Sequence, residues 1–227
     1  MKEFDIRPPK VFEEYLRLAK EDIAVFFSDS ILKNISCPAC NFKGHHSFKK
    51  DSFDYCECPE CLTLYVNPRP TQESFTNYYT NSLSSEFWAK TFYKETEKAR
   101  REKIWKPKAQ IILDELKKQK ALDYQIVDIG GGYGIFAEET QKLNNQKVII
   151  IEPSPHLSKI CRGKGIEVVE KFLENVSVKD LPSGKKCFVS FELFEHLHSP
   201  KIFLKQLNRL MQSNDLFIFT TLSSTGL

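Results

Sequence analysis

Residues 126–136, IVDIGGGYGIF, end an apolar run on Asp128 and then place glycine at positions 130, 131, 132 and 134. A glycine-rich turn lets a ligand lie against bare backbone, because no Cβ stands in the way. Three uses of such a turn compete. A P-loop requires Gly-Lys-Ser/Thr, which is missing here. A dinucleotide loop, G-x-G-x-x-G, counted from Gly130 and Gly132, requires glycine at 135, where Ile135 stands. What is left is D-x-G-x-G-x-G. In that pattern Gly130 and Gly132 bring backbone close to an uncharged stretch of ligand. Asp128, at the end of the run, accepts a hydrogen bond from an ammonium group or from water beneath the loop. The next apolar run, KVIIIE, ends on Glu152. A carboxylate there receives both hydroxyls of a ribose diol.

The second chemical cluster is sulfur. Five of the seven cysteines lie between Cys37 and Cys61, and four form C-x2-C-x17-C-x2-C: Cys37, Cys40, Cys58 and Cys61. In a chain with no secretory signal this spacing points to a metal before disulfides. Four thiolates close a tetrahedral shell with no open position, so the predicted zinc is structural and not catalytic. A short turn-rich segment buries little apolar area, and metal binding, on the order of 10 kcal/mol in small zinc folds, supplies what its core lacks. Cys56 offers a competing third ligand, and His45 and His46 offer imidazoles, but Cys58 completes the symmetrical pair. Cys161 and Cys187 read as buried core positions.

These residues need elements to hold them. Residues 10–33 carry apolar residues at helical spacing and predict one or two helices. Residues 37–70 change to short strand-like pieces, and NPRPT (67–71) reads as a linker. Residues 72–119 are helical again, with a restart at Pro107, a favoured first-turn residue. The basic stretch Lys94–Lys108 interleaves glutamates and reads as a solvated helix face. Beyond it, five short apolar runs, 126–129, 147–152, 166–169, 186–192 and 215–222, alternate with helical segments 135–143, 155–164, 172–176 and 200–211. Strands alternating with helices build an α/β fold, a parallel sheet with right-handed crossovers. The predicted organisation is a helical segment (1–36), a zinc ribbon (37–70), a helical cap (71–106) and an α/β domain (107–227). The chain stops at STGL straight after an apolar fifth strand, and an open apolar sheet edge predicts that the natural chain continues.

Composition narrows the setting. With 41% hydrophobic and 28% charged residues the chain is globular. No apolar run reaches the ~18 residues of a membrane span, and MKEFDIRPPK lacks a signal-peptide core, so the cytoplasm is the expected compartment. A net charge of +3 is too weak to imply nucleic acid.

The order D-I-G-G-G-Y-G, I-E-P-S, then FVSFELFEHLHSP (188–200) and FIFTT resembles the class I S-adenosylmethionine-dependent methyltransferases over residues 107–227. The resemblance implies a Rossmann-like sheet. It implies a loop of Asp128, Gly130, Gly131, Gly132, Tyr133 and Gly134 cradling the methionine moiety. Glu152, followed by Pro153, would hold the ribose, Glu170 would lie near adenine, and Phe191 and Glu192 would border the methionine end. The family sheet has seven strands, whereas five are visible here. With the zinc ribbon in front, the arrangement is similar to sugar C-methyltransferases acting on nucleotide-linked deoxysugars and to uncharacterised zinc-ribbon methyltransferases. A small-molecule acceptor, such as a sugar nucleotide or a surface-polysaccharide precursor, is implied by that likeness. Nucleic acid is disfavoured, because the fourth strand reads Phe191-Glu192-Leu193-Phe194 and lacks N/D-P-P-Y/F. Glu195-His196 is the candidate for proton removal, with His196 expected at a helix start that favours its neutral form. Packing is the competing role for that pair, and His198 reads as surface. Among the aromatics ahead of the domain, Tyr78 and Tyr79 are the candidates for lining the site. The second reading of the whole chain is a zinc-ribbon binding module whose methyltransferase-like domain has lost catalysis.

Overall fold

The structure, a computed structural model, describes residues 3–223. The predicted STGL end lies outside the described residues. A short turn of helix, α1 (Glu3–Ile6), precedes α2 (Pro9–Phe27), so the N-terminal pattern yields one long helix with proline in its first turn. A two-residue strand β1 (Leu32–Lys33) leads into the ribbon, a three-stranded antiparallel sheet of β2 (His45–Lys50), β3 (Phe53–Glu57) and β4 (Leu64–Val66). NPRPT is not a free linker. Its Arg69–Pro70 forms strand β5, which pairs back on β1, and Thr71 caps the next helix by accepting from Ser74 N.

That helix is α3 (Gln72–Asn81), succeeded by α4 (Leu83–Phe87), α5 (Tyr93–Arg100) and α6 (Lys106–Lys118). Two π-helical turns, Trp88–Phe92 and Arg101–Trp105, join α4, α5 and α6 into one continuous run. The expected restart is present as the start of α6, with Pro107 in its first turn, but the helical run does not break there. The Lys106 N–H bonds the carbonyl of Arg101, one residue further back than in an α-helix, and this looser turn accommodates a ring that would otherwise press on the preceding turn. The start of the run is fixed by Asp22 of α2, which is buried at 3% exposure. Its carboxylate accepts from Leu83 N (3.3 Å) and Ser84 N (2.8 Å). A carboxylate at a helix N-terminus satisfies orphan donors and meets the positive end of the helix dipole.

The basic stretch is also less solvated than its composition predicts. Arg101 pairs with Glu97 of its own helix and with Glu138 and Glu139, so it fastens the helical cap to the α/β domain. The Arg100 guanidinium covers the rings of Trp88, Phe92 and Tyr93 within the cap. Neither arginine simply faces water.

The five apolar runs become β6 (Gln125–Ile129), β7 (Val148–Ile151), β8 (Glu167–Val169), β9 (Lys186–Phe191) and β10 (Leu216–Thr220). Between them lie α7 (Ile135–Asn144), α8 (Pro155–Gly163) and α9 (Pro200–Leu210). The strand order is β10-β9-β6-β7-β8, with every pair parallel. Successive residues of β6 feed opposite faces. Ile126 packs with Leu116, Phe136 and Ile150, whereas Val127 packs with Ile151, Phe188 and Phe203. A strand covered on both faces reads as a near-continuous apolar run, which Asp128 alone interrupts within 126–129. The predicted helix at 172–176 shrinks to a 3-10 turn, Leu173–Asn175, and a second turn covers Val178–Asp180. The chain leaves β6 toward β7 and β8, then returns to β9 on the other side. Ligands of such sheets bind in a crevice at the carboxyl ends of the strands where the order reverses, here between β6 and β9.

Candidate functional site

The glycine loop occupies that crevice, and its four glycines do different things. A Cβ on Gly130 would stand 2.9 Å from Leu193 Cδ2. On Gly134 it would stand 2.8 Å from Ile166 Cδ1, and on Gly131 it would stand 2.8 Å from both Asp128 Oδ2 and Ile150 Cγ2. These three glycines admit the protein's own atoms. Gly132 differs: its φ is +55°, and a Cβ there meets nothing nearer than the Tyr93 hydroxyl at 3.5 Å. The open face of the loop is therefore at Gly132. Tyr133 stacks on Tyr93 (5.3 Å between centroids, 9° apart), and the Lys164 ammonium lies 3.9 Å from the Tyr133 ring centre.

Two carboxyl groups sit at the ends of the adjacent strands β6 and β7, and both are buried: Asp128 (2% exposed) and Glu152 (6%). Glu152 accepts from Gly132 N (3.1 Å) and Ser154 N (2.9 Å), which ties the loop to the second strand. Burial and the nearby Glu152 push Asp128 up to about 8, against the pull of Lys108. Burial pushes Glu152 up to about 7, against its two backbone hydrogen bonds. Two acids that disfavour ionisation together form a pocket that favours a cation. Pro153 is half-buried beside them. Glu170, past the end of β8, is exposed and ion-paired with Arg162 at 2.5 Å.

At the end of β9, Phe191 is buried against Phe136 and Trp105. Glu192 comes next with φ +47°, a left-handed conformation unusual for a residue with a side chain. Its carboxylate accepts from Lys108 Nζ (2.9 Å) and Thr220 Oγ1 (2.8 Å), and its N–H donates to the Thr220 carbonyl. Backbone held in a sparse region by such contacts is common where a site is being shaped. Glu195 and His196 lie beyond it, both exposed. The Thr221 hydroxyl donates to Glu195 (2.9 Å). His196 is not at a helix start as expected: Phe194–His196 is a 3-10 turn, and α9 begins at Pro200, where the segment 200–211 was expected.

His198 is not a surface residue. It is half-buried against Phe75, with Nε2 3.1 Å from the Pro70 carbonyl, and the Arg69 guanidinium donates to its own carbonyl. Burial, with Arg69 and Lys33 nearby, holds its pKa below the usual histidine value. This contact joins the ribbon to the α/β domain.

In the ribbon, the two C-x2-C turns repeat one geometry. Asn41 N donates to the Cys37 carbonyl and Leu62 N to that of Cys58, with φ of +71° and +59° at Asn41 and Leu62. The four sulfurs of Cys37, Cys40, Cys58 and Cys61 all lie within 4.8 Å of one another. Cys37–Cys61 is 3.5 Å, while Cys40–Cys58 and Cys40–Cys61 are 3.4 Å. Zn–S bonds of about 2.3 Å at tetrahedral angles require sulfur–sulfur edges of about 3.8 Å, so the donor set fits zinc. The Thr63 hydroxyl, 3.1 Å from Cys61, helps hold that thiol down to about 6. Cys56 is outside this group and packs into the ribbon core beside Asn67. His45 and His46 are exposed on β2, and His46 faces Asp54.

Lys108 is a site residue that sequence reasoning missed, and Tyr93 is one it counted among the aromatics ahead of the domain but passed over for Tyr78 and Tyr79. Tyr93 comes from α5 and Lys108 from α6, and no local spacing separates them from the other aromatics and lysines around them. Tyr78 packs instead against Phe26 and Phe27, with its hydroxyl 3.1 Å from Ser84 Oγ, and Tyr79 lies beside it.

Solved structures resemble this chain at low identity. The plantazolicin methyltransferase BpumL, in complex with SAH, is 14% identical, with a TM-score of 0.46 over 63% of this chain and 56% of its own. DesVI of Streptomyces venezuelae is 14% identical, with a TM-score of 0.46 over 57% of this chain and 56% of its own. The chain thus spans little more than half the length of either. No curated protein sequence matches it. A family model described as a methyltransferase domain matches residues 96–226, which contain the glycine loop, the Asp128–Glu152 pair and the end of β9. With more than half its length matched to that model, and with a five-stranded parallel sheet carrying the site, the chain belongs to the methyltransferase-domain family.

Proposed function

We propose that the protein transfers a methyl group from S-adenosylmethionine to a small-molecule acceptor. The observation that carries this reading is the buried pair Asp128 and Glu152 beneath the open face of Gly132. A ligand bearing an ammonium and a sulfonium meets the acidic pocket with opposite charge, and its ribose hydroxyls suit Glu152. S-adenosylmethionine supplies an activated methyl group when bound. The residues of this chain do the rest. The Gly132 backbone leaves room for the ligand's main axis, and Phe191 and Tyr93 wall the crevice. Glu192, held by Lys108 and Thr220, shapes its reactive end. Holding two reactants in line contributes most to such a displacement.

Proton removal from an acceptor hydroxyl or α-carbon falls to the exposed imidazole of His196, with Glu195 beside it. The favoured acceptor is a nucleotide-linked sugar, a reading that rests on the resemblance of the zinc-ribbon arrangement. Zinc in the cysteine tetrad is structural in this account. The segments 1–36, 37–70, 71–106 and 107–227 are its units, with the helical run Leu83–Lys118 crossing the last boundary. The test is turnover of S-adenosylmethionine carrying a labelled methyl group against a panel of nucleotide sugars. Transfer to one of them, reduced at least about tenfold by His196→Ala, supports the reading. Cofactor binding without transfer to any small molecule supports the binding-module reading instead.

A further inference from the structure

A second crevice lies where the ribbon meets the α/β domain. It measures about 280 Å³ and is lined by Ser36, Cys37, Asn41, Arg69, Ser199 and Lys201, among others. Its walls are the first cysteine turn, strand β5 and the first turn of α9. In a parallel α/β sheet the helix after a strand starts at that strand's carboxyl end. The crevice therefore opens on the same edge of the sheet as the glycine loop.

Among the described residues no carboxylate lines it; two cations do, beside Cys37 of the cysteine tetrad. Arg69 is half-buried, its guanidinium is anchored on the His198 carbonyl, and among the described residues it makes no ion pair with an acid. Lys33 adds a third cation, paired with Arg69 in the β1–β5 register. Taking a guanidinium out of water without a counter-ion costs free energy unless an anion joins it. Here the fork is fixed at one end by a carbonyl, and the crevice beside it is large enough for a phosphate group.

We propose that this crevice binds a phosphate-bearing ligand between Arg69 and Lys201. Guanidinium and ammonium groups together suit a di- or monophosphate, and the hydroxyls of Ser36 and Ser199 and the amide of Asn41 add hydrogen-bonding partners. The ligand is either the phosphate tail of the acceptor or a free phosphate compound. The first source rests on the proposed methyl transfer, and the second does not. A zinc tetrathiolate carries negative charge, so these cations also offset the metal centre when zinc is present.

The zinc-loaded chain is titrated with inorganic pyrophosphate and, separately, with uridine diphosphate, following heat and the Arg69 side-chain Nε–H signal. The expected result is saturable binding of both, weakened about tenfold in Arg69→Gln and several-fold in Lys201→Ala. Lys201 is exposed, so its variant keeps the test open if Arg69→Gln disturbs folding. Tighter binding of the nucleoside diphosphate marks the phosphate as the tail of a larger ligand, and equal binding marks a free-anion site. No saturable binding by the unaltered chain, or binding unchanged in both variants, overturns the proposal. Zinc loss in both variants with no anion binding overturns it too, because the cations then serve only the metal. S-adenosylhomocysteine binding is measured in the same samples. Its loss speaks against the methyl-transfer reading and its retention leaves the anion result to stand alone.

Discussion

Gly131→Ala and Gly132→Ala have opposite consequences if the loop is built as described. At Gly131 the added methyl comes within 2.8 Å of Asp128 Oδ2 and of Ile150 Cγ2. Ile150 is fully buried in the central sheet and cannot move aside, so the variant is overpacked and loses about 1–3 kcal/mol of stability. At Gly132 the nearest atoms are 3.5 and 3.9 Å away, an ordinary contact distance. The methyl fits the protein, and the main cost is the left-handed φ of +55°, about 1 kcal/mol. That methyl, however, stands where the ligand is proposed to lie. Urea unfolding and calorimetry with S-adenosylhomocysteine separate the two effects. Gly131→Ala is the less stable variant. Gly132→Ala stays close to the original in stability and loses at least about tenfold in affinity, or 1.4 kcal/mol. Unchanged affinity in Gly132→Ala, with Gly131→Ala as stable as the original, would refute both the packing and the ligand assignment.

Three further outcomes rest on the same geometry. Asp128 and Glu152 hold their protons more tightly folded than unfolded, so the stability they favour is full below about pH 4 and is lost as pH rises through about 7 and 8. Urea midpoints of the ligand-free protein should fall between about pH 5.5 and 8.5, and S-adenosylmethionine should gain affinity over S-adenosylhomocysteine, which lacks the sulfonium charge, in that window; a flat profile contradicts the acidic pocket. Asp22→Ala leaves two N–H groups at the start of the long helix without their acceptor and should cost about 1–3 kcal/mol in urea unfolding, with Asp22→Asn recovering part of it. Cys58→Ser removes one of four ligands and should lower bound zinc from one per chain toward none by metal analysis; retained stoichiometric zinc would move the ligand set elsewhere.

Much of this was readable in the sequence, for physical reasons that differ by element. The sheet was legible because β6, β7 and β9 are buried on both faces and so are mostly apolar, with Asp128 and Ser190 the polar interruptions within 126–129 and 187–191. The cysteine tetrad was legible because a metal fixes ligand type and spacing together. The uses of the individual glycines were not legible. Gly130, Gly131 and Gly134 are small for Leu193, Ile150 and Ile166, neighbours that only the folded chain brings near. Lys108 and Thr220 meet Glu192 from far along the chain, and the tie of Arg69 and Pro70 to His198 crosses between two units. The continuity through Pro107 was hidden because proline statistics favour a helix start, whereas a π-helical turn absorbs the ring here. The helix at 200–211 was legible from its spacing, but His196 is not at its start, because Ser199-Pro200 opens α9 and Phe194–His196 forms a separate 3-10 turn.

The central claim, that the glycine loop seats S-adenosylmethionine, is tested most directly by tracking backbone amide signals during a titration with S-adenosylhomocysteine. Saturation at one ligand per chain is expected, with the largest shifts at Gly132 and Ser154, whose N–H groups donate to the Glu152 carboxylate, and at the neighbouring Tyr133. Saturation with those amides unmoved, or no saturation at all, would contradict it.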